Sequence, residues 1–160
     1  MTLGPVTKWG MIAAAVIILA PIVMLAILSV TSRRPATLGP VMGKLRPCPD
    51  SPNCVCSCDD RGDHAIAPLV WKGEASAGIQ KLLRVIGTFP NTRCEPVSGD
   101  GYLHAEFTST WFRFVDDVEF LVDPPAGVIH VRSASRAGKS DLGVNRHRVE
   151  RIRELFQAAE

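Results

Sequence analysis

The stretch FRFVDDVEFLV, residues 112–122, decides the fold because apolar and polar side chains alternate over most of its length. Neighbouring side chains of a β-strand point to opposite faces of a sheet, so the pattern predicts a strand with one apolar and one polar face. The predicted apolar face consists of Phe112, Phe114, Val118, Phe120 and Val122. Asp117 and Glu119 fall on the other face, and Asp116 is expected on the apolar side unless a bulge re-aims it.

Further strands are predicted around this one. Residues Tyr102–Ser109 (YLHAEFTS) and Gly127–Ser135 (GVIHVRSAS) also alternate, and a short strand is expected at Arg93–Val97. Pro124 and Pro125 are strong turn residues between the second and third long strands. Strands that follow one another through such short turns are antiparallel neighbours.

Two helices flank the predicted strands. In Ala75–Thr88 the apolar residues recur at i, i+3, i+4 and i+7, which gives one apolar face, and Arg146–Ala158 carries a similar stripe. Asn145 is the expected N-cap of the second helix. The predicted fold is therefore α+β, an antiparallel sheet of about four strands packed on two helices.

An uncharged stretch of 21 residues, Gly10–Val30, precedes this domain. As a helix it spans roughly 31 Å, close to the hydrocarbon thickness of a bilayer. The stretch predicts one transmembrane helix at about residues 10–30 within a membrane anchor, 1–31, and a cleaved signal peptide is the alternative. A linker rich in Pro and Gly, 32–46, and the α+β domain, 47–160, follow.

The expected partner of this helix is the lipid bilayer, the inner or plasma membrane if the protein is bacterial. Arg33 and Arg34 follow the span and favour a cytoplasmic domain, but the margin is about two charges and the side stays open. The first 46 residues carry five Lys or Arg and no acid, whereas the rest carry 13 Lys or Arg against 16 Asp or Glu. A domain with that balance is a poor general binder of nucleic acid, because affinity for the phosphate backbone depends on a net positive surface, so no nucleic-acid partner is expected.

Four of the five cysteines lie in CPDSPNCVCSC, residues 48–58. Their spacing is too tight for the usual zinc pairs, but a soft-metal site of clustered thiolates is one interpretation. A Cys48–Cys54 disulfide is the second, and it requires an oxidising compartment. A turn with buried or free thiols is the third. No other cofactor is predicted beyond a metal at Cys48, Cys54, Cys56 and Cys58.

The polar face of the predicted sheet collects titratable side chains. We expect Asp117 and Glu119 to share it with His104, Glu106, Arg113, His130 and Arg132. A carboxylate beside a histidine can act in general acid–base catalysis, and carboxylates also bind divalent metals. A salt-bridge ladder on a solvent-facing sheet is the structural alternative.

The loop SASRAGKSDLGVNR, residues 133–146, ends at a predicted helix N-terminus. It is not a phosphate-binding P-loop, because Ser133 stands where the leading glycine is needed. Arginines at a helix N-terminus favour an anionic ligand. Local capping by Asp141 and Asn145, with arginines paired to Asp116 or Asp117, is the alternative.

Three strings together resemble one family: CPDSPNCV at 48–55, FRFVDDVEFLVD at 112–123 and VRSASRAGKSDLGVNRHRVERIRELF at 131–156. Their order and spacing are similar to those of domain of unknown function 1499 (DUF1499) over residues 45–157. The resemblance implies a shared fold, and bacterial or plastid relatives that often carry an N-terminal membrane or export segment, but no activity. The chain departs from the pattern at Cys56, where a serine is usual, at the extra Cys58 and at Lys139.

The sequence favours a membrane-anchored, non-enzymatic binding or accessory module for an anionic small molecule or lipid head group. Its predicted binding residues are Arg113, Arg132, Ser133, Ser135, Arg136, Asp141, Asn145 and Arg146. The alternative is a hydrolase-like or other enzyme that uses the acidic strand Asp116, Asp117 and Glu119. Asp117 or Glu119 would then be the base, His104 or His130 the proton carrier, and Arg132 or Arg136 the charge stabiliser. A thiol metal-binding or redox protein is the third hypothesis.

Overall fold

The computed structural model describes residues 5–95 and 101–159, without the side chains of residues 5–7. Within those residues one antiparallel sheet has six strands in the order β1-β6-β5-β4-β3, with β2 also beside β6. The strands are β1 (Cys54–Cys56), β2 (Leu69–Val70), β3 (Thr92–Cys94), β4 (Tyr102–Thr108), β5 (Val115–Asp123) and β6 (Val128–Ser135). The helices are α1 (Pro5–Thr31), α2 (Ala75–Ile86) and α3 (Val144–Ala158).

The α+β prediction is confirmed, with two strands more than expected. The additional strands, β1 and β2, have three and two residues, which is too short for alternation to reveal them. β3 was expected to run to Val97, and its predicted end lies outside the described residues.

One sheet face and the two domain helices form the main core. The buried sheet residues include Leu103, Phe107, Val118, Phe120, Ile129 and Val131, and the helices contribute Ile79, Leu82, Ile86, Val149, Ile152 and Phe156. Asp116 also points to this side, as expected, because it lies opposite Phe107 in the β4–β5 register. There its carboxylate accepts a hydrogen bond from Arg148 of α3 at 2.5 Å.

The first residues of the quoted stretch are not in the sheet, so the predicted strand start at Phe112 is wrong. Arg113 has φ 59°, a left-handed conformation that interrupts an extended strand. Phe114 N–H donates to the Ser109 hydroxyl, and Ser109 N–H donates to the Phe114 carbonyl. Residues 109–114 therefore close into a loop, and β5 begins at Val115.

The N-cap assignment of Asn145 is also wrong. α3 starts after Gly143, whose φ of 82° favours glycine, and Asn145 is the second residue of the helix. The Asp141 carboxylate accepts from the backbone N–H groups of Gly143 and Asn145 instead. The Asn145 side chain is thereby free to turn into the protein interior, where it is fully buried.

Helix α1 is long and apolar enough over Lys8–Thr31 to cross a membrane, a property that an N-terminal signal sequence shares. Pro21 lies inside it. Leu25 is half-buried and Ser29 is buried, which shows that the last turns of α1 touch the α+β domain.

Candidate functional site

The second face of the sheet carries a buried network of charged side chains. The strand register sets Glu106 opposite Asp117, and Glu119 between His104 and Arg132. His104 is 3% exposed, and Asp117 and Glu119 are each 1% exposed. From the sequence, a salt-bridge ladder on a solvent-facing sheet was the structural alternative. The ladder is present in the structure, but it is shielded from solvent.

Asp117 lies at the centre of this network. Arg136 holds it in a fork, with Nε 2.8 Å from Oδ2 and Nη2 2.6 Å from Oδ1, and Nη2 also contacts Glu106. His104 Nε2 lies 2.8 Å from Oδ1. Burial alone raises the pKa of Asp117, but the hydrogen bonds from Arg136 and His104 outweigh it and leave the pKa below its ordinary value. Asp117 is therefore an anion at neutral pH.

Glu119 is enclosed by three donors. Its Oε2 accepts from Arg132 Nη1 at 3.0 Å, and its Oε1 accepts from the Tyr102 hydroxyl at 2.9 Å and from the backbone N–H of Gly39 at 2.7 Å. Burial, and then the negative charge of Glu119, raise the pKa of Tyr102. The phenol therefore remains a hydrogen-bond donor at neutral pH.

Residues 34–47, which we call the covering segment, lie across this polar face. Arg34 donates to Glu95, with Nη2 2.7 Å from Oε2, and lies 3.3 Å from His104 Nδ1. The hydrogen bond from Arg34 lowers the pKa of Glu95. Leu45 is buried in a small second core with Leu121, Ala134 and three cysteines. The segment expected to be a linker thus shields the charges from water.

The cysteine stretch forms one edge of the same site. Cys48 and Cys54 form a disulfide with a Cα–Cα distance of 5.7 Å, and Asp59 braces the loop by accepting from Cys48 N–H at 2.9 Å. Burial raises the pKa of Cys56 to about 12, so this thiol stays protonated. Three of the four sulfurs, the two in the disulfide and that of Cys56, are therefore unavailable as thiolates at neutral pH. The described residues contain no group of three or more His, Cys, Asp or Glu placed to hold a metal.

A groove of about 450 Å³ opens between the covering segment, the disulfide loop and the ends of β5 and β6. It is lined by Pro35, Thr37, Arg46, Pro47, Cys48, Pro49, Asp117, Arg132, Ala134, Ser135 and Arg136. Three guanidinium groups meet here. Arg46 is exposed and belongs to none of the ion pairs in the described part of the chain. The buried Nε of Arg132 has no hydrogen-bond partner among the described residues.

Other predicted site residues lie away from this groove. His130 lines a separate groove of about 580 Å³, where its Nδ1 lies 3.1 Å from the Ser57 hydroxyl and its Nε2 3.6 Å from Asp123. Arg113 lies in the exposed 109–114 loop. Arg146 donates to the carbonyls of Asp63 and Ala65 and so fastens α3 to the loop before β2.

Asn145 and Ser133 build a buried polar junction behind the groove. Asn145 Oδ1 accepts from the Ser133 hydroxyl and from Arg148, and its Nδ2 donates to the Asn53 carbonyl and the Ser135 hydroxyl. The junction joins α3, β6 and the disulfide loop. Ser135 alone of these residues lines the groove, so the others position it.

Three members of the site, Arg34, Arg46 and Tyr102, were not predicted from the sequence. Arg34 and Arg46 lie in a segment without periodicity, so no pattern assigns them to a face. Tyr102 begins β4 on the polar side, and the alternation of that strand was the available signal.

A family model described as "Protein of unknown function (DUF1499)" matches residues 44–156. This range includes Arg46, the disulfide loop and all of the sheet. No curated protein matches the chain.

Proposed function

Since the chain belongs to the DUF1499 family, whose function is unknown, we propose a function from its own geometry: a membrane-anchored binding module whose groove takes an anionic group. The ligand is the phosphate or carboxylate of a small molecule or of a lipid head group. The observation that carries this proposal is the convergence of Arg46, Arg132 and Arg136 on one groove.

The charges favour an anion over a neutral ligand. Arg136 is neutralised by Asp117 and Glu106, and Arg132 is paired with Glu119. Arg46 is the cation at the rim that lacks such a carboxylate among the described ion pairs, so a bound anion would complete its pairing. Guanidinium groups bind phosphates and carboxylates through two parallel hydrogen bonds, which gives affinity and orientation together.

The carboxylates are better suited to hold the arginines than to transfer protons. Asp117 has a lowered pKa, whereas a general base works best with a pKa near the operating pH. Glu119 is enclosed by the covering segment, and His104 lies between Asp117 and Glu95 rather than on the groove wall. We therefore assign these groups a positioning role and favour binding over catalysis.

The position of the groove supports a site at the membrane surface. Pro35 and Thr37 line the groove, and they follow Thr31, the last residue of α1, after four and six residues. Six residues reach at most about 20 Å. If α1 spans the bilayer, the groove lies within reach of lipid head groups as well as of soluble anions.

The test is a titration of the full chain in micelles of a zwitterionic detergent. Inorganic phosphate and citrate probe soluble anions, and dioctanoyl phosphatidylglycerol against dioctanoyl phosphatidylcholine probes lipid head groups. Because a charge-assisted hydrogen bond contributes about 1.5–3 kcal/mol, Arg46→Gln should weaken binding by about 10- to 100-fold.

Lys44→Gln is the matched control, since Lys44 is also exposed and two residues away but lines the other groove. It should leave affinity within about twofold. Equal losses in the two variants, or no binding of any anion above phosphatidylcholine, would refute the proposal. Preference for phosphatidylglycerol over phosphate and citrate would identify a lipid as the source of the anion.

A further inference from the structure

Two loops at one end of the sheet expose large apolar side chains. Trp111 is 91% exposed in the 109–114 loop, and Leu142 is 91% exposed in the 137–143 loop. Phe112 and Val144 are partly exposed beside them. Single exposed apolar residues are ordinary. Exposure of a tryptophan, a phenylalanine and a leucine on neighbouring loops is energetically unfavourable unless something other than water contacts them.

Both loops are held in shape by local hydrogen bonds. The 109–114 loop is closed by the two hydrogen bonds between Ser109 and Phe114. The 137–143 loop is fixed by the Asp141 carboxylate, and Leu142 there has φ 54°. The apolar side chains are thus presented by ordered backbone rather than by loose coil.

The loops lie beside the last turns of α1. A cavity of about 250 Å³ is lined by Leu25 and Leu28 of α1 together with Phe114 and Val144, which adjoin the two loop tips. Leu25 and Leu28 precede Thr31 by six and three residues, so they lie about 5–9 Å along the helix from its end. Residues next to them are therefore at the depth of the bilayer interface when α1 spans the membrane.

We propose that the 109–114 and 137–143 loops insert Trp111 and Leu142 into the bilayer interface and form a second membrane contact beside α1. This inference rests on the proposed function in one respect, that α1 is a membrane span. Tryptophan is favoured at the interface because its ring is apolar and its N–H reaches the head groups. Arg113 and Lys139 are exposed on the same two loops and suit anionic head groups.

This contact would also orient the groove. Ser135 lines both the anion groove and the cavity next to α1, so the two lie at the same end of β6. A domain seated on its loops would keep the groove at the level of the head groups instead of letting it rotate freely on residues 32–33.

The test uses the full chain in phosphatidylcholine–phosphatidylglycerol vesicles. The chain has three tryptophans. Trp9→Phe removes the one in α1, and comparison of this variant with Trp9→Phe/Trp111→Phe isolates the emission of Trp111. Trp71 packs edge-on against Phe156, with ring centroids 5.8 Å apart, and is present in both variants as the common background.

Lipids brominated in the upper acyl chain should quench the Trp111 emission by about twofold or more, and acrylamide should reach it poorly. Full quenching by acrylamide with no effect of brominated lipid would overturn the inference. A second result would also overturn the inference: Trp111 is shielded from acrylamide, is not quenched by bromine, and loses its shielding when the protein is diluted in lipid. That result would indicate that a second copy of the chain covers Trp111.

The two proposals fail separately. Arg46→Gln, which removes the proposed groove ligand contact, should leave the bromine quenching of Trp111 unchanged. Release of the wild-type chain from vesicles by alkaline carbonate would show that α1 is not a span and would overturn the loop insertion without deciding whether the groove binds soluble anions.

Discussion

The two faces of the sheet are both buried, but by different chemistry. The apolar face packs on α2 and α3 through side chains such as Phe120 and Val131, whose attraction does not depend on direction. The polar face lies under irregular backbone, and each of its charges has a specific partner. An apolar face tolerates imperfect neighbours, whereas a buried charge is stable only while its partner is present.

The largest expected effect lies on the apolar face. Phe120 is fully buried at the centre of the sheet, so Phe120→Ala should lower the free energy of unfolding by about 3–5 kcal/mol through lost burial and a cavity. Urea unfolding of the full chain in zwitterionic micelles, followed by near-ultraviolet circular dichroism, measures it. Val70→Ala in the exposed part of β2 is the control and should cost under about 0.5 kcal/mol. A similar cost for both variants would contradict the assigned core.

The polar face should respond to the loss of one partner almost as strongly. Arg136→Met leaves the buried Asp117 and the partly buried Glu106 without their guanidinium group, which should cost about 3 kcal/mol. Asp117→Leu in addition should restore part of this loss, since the uncompensated charge is gone. In the exposed pair of α3, Arg151→Met should cost under about 1 kcal/mol. If the double variant is less stable than Arg136→Met alone, the charge of Asp117 is not the source of the cost.

The apolar face could be predicted from the sequence because alternation is a local property. The 112–122 stretch identified the core side of β5 from Val118 onward, and the i, i+3, i+4 pattern identified α2. The predicted start of β5 was wrong because the spacing of apolar residues does not reveal the left-handed backbone conformation of Arg113. The short strands β1 and β2 form because β6 offers them an edge, which is a long-range property.

The polar face was predicted in part. Alternation correctly grouped His104, Asp117, Glu119 and Arg132 on one side. Alternation does not say whether a polar side meets water, and the covering segment decides that through contacts such as Gly39 to Glu119, 80 residues apart. Arg46 was missed for the same reason, since only the folded path of residues 34–47 brings it to the groove.

The disulfide loop, which closes one edge of the polar face, should contribute an intermediate amount. A bond that closes a loop of this size restricts the unfolded chain by about 2 kcal/mol, so Cys48→Ser/Cys54→Ser should lower the free energy of unfolding by that amount. Reductant should lower the wild type equally and leave the double variant unchanged. Thiol titration of the unfolded, unreduced wild type should find three free cysteines, Cys56, Cys58 and Cys94. A count of five would contradict the disulfide.

The smallest expected effect concerns an ion pair between the covering segment and the part of the chain that it covers. The Arg34–Glu95 pair is partly exposed, with 44% and 27% of the side chains accessible, so Arg34→Gln should cost under about 1 kcal/mol at pH 7. Arg34 lowers the pKa of Glu95 in the folded state, and a lowered carboxyl pKa stabilises the fold above the unfolded value of about 4.3. The difference between wild type and Arg34→Gln should therefore shrink as the pH falls from 7 towards 3.

The neighbouring Arg33→Gln is the control for this variant, because Arg33 is exposed and takes part in none of the described ion pairs. It should change neither the stability nor its pH dependence. If Arg34→Gln instead costs as much as Arg136→Met, the covering segment contributes to the fold as strongly as the buried network does. The two faces would then differ in chemistry, but removing a contact that covers either face would lower the free energy of unfolding by a similar amount. The reason would be that loss of the Arg34–Glu95 pair exposes Glu119 and His104 to water. If Arg34→Gln costs less than about 1 kcal/mol and this cost vanishes in acid, the covering segment is held in place by Leu45 and Gly39 without the Arg34–Glu95 pair. The polar face would then differ from the apolar face in one respect. Part of the segment that covers it could detach locally without unfolding the sheet.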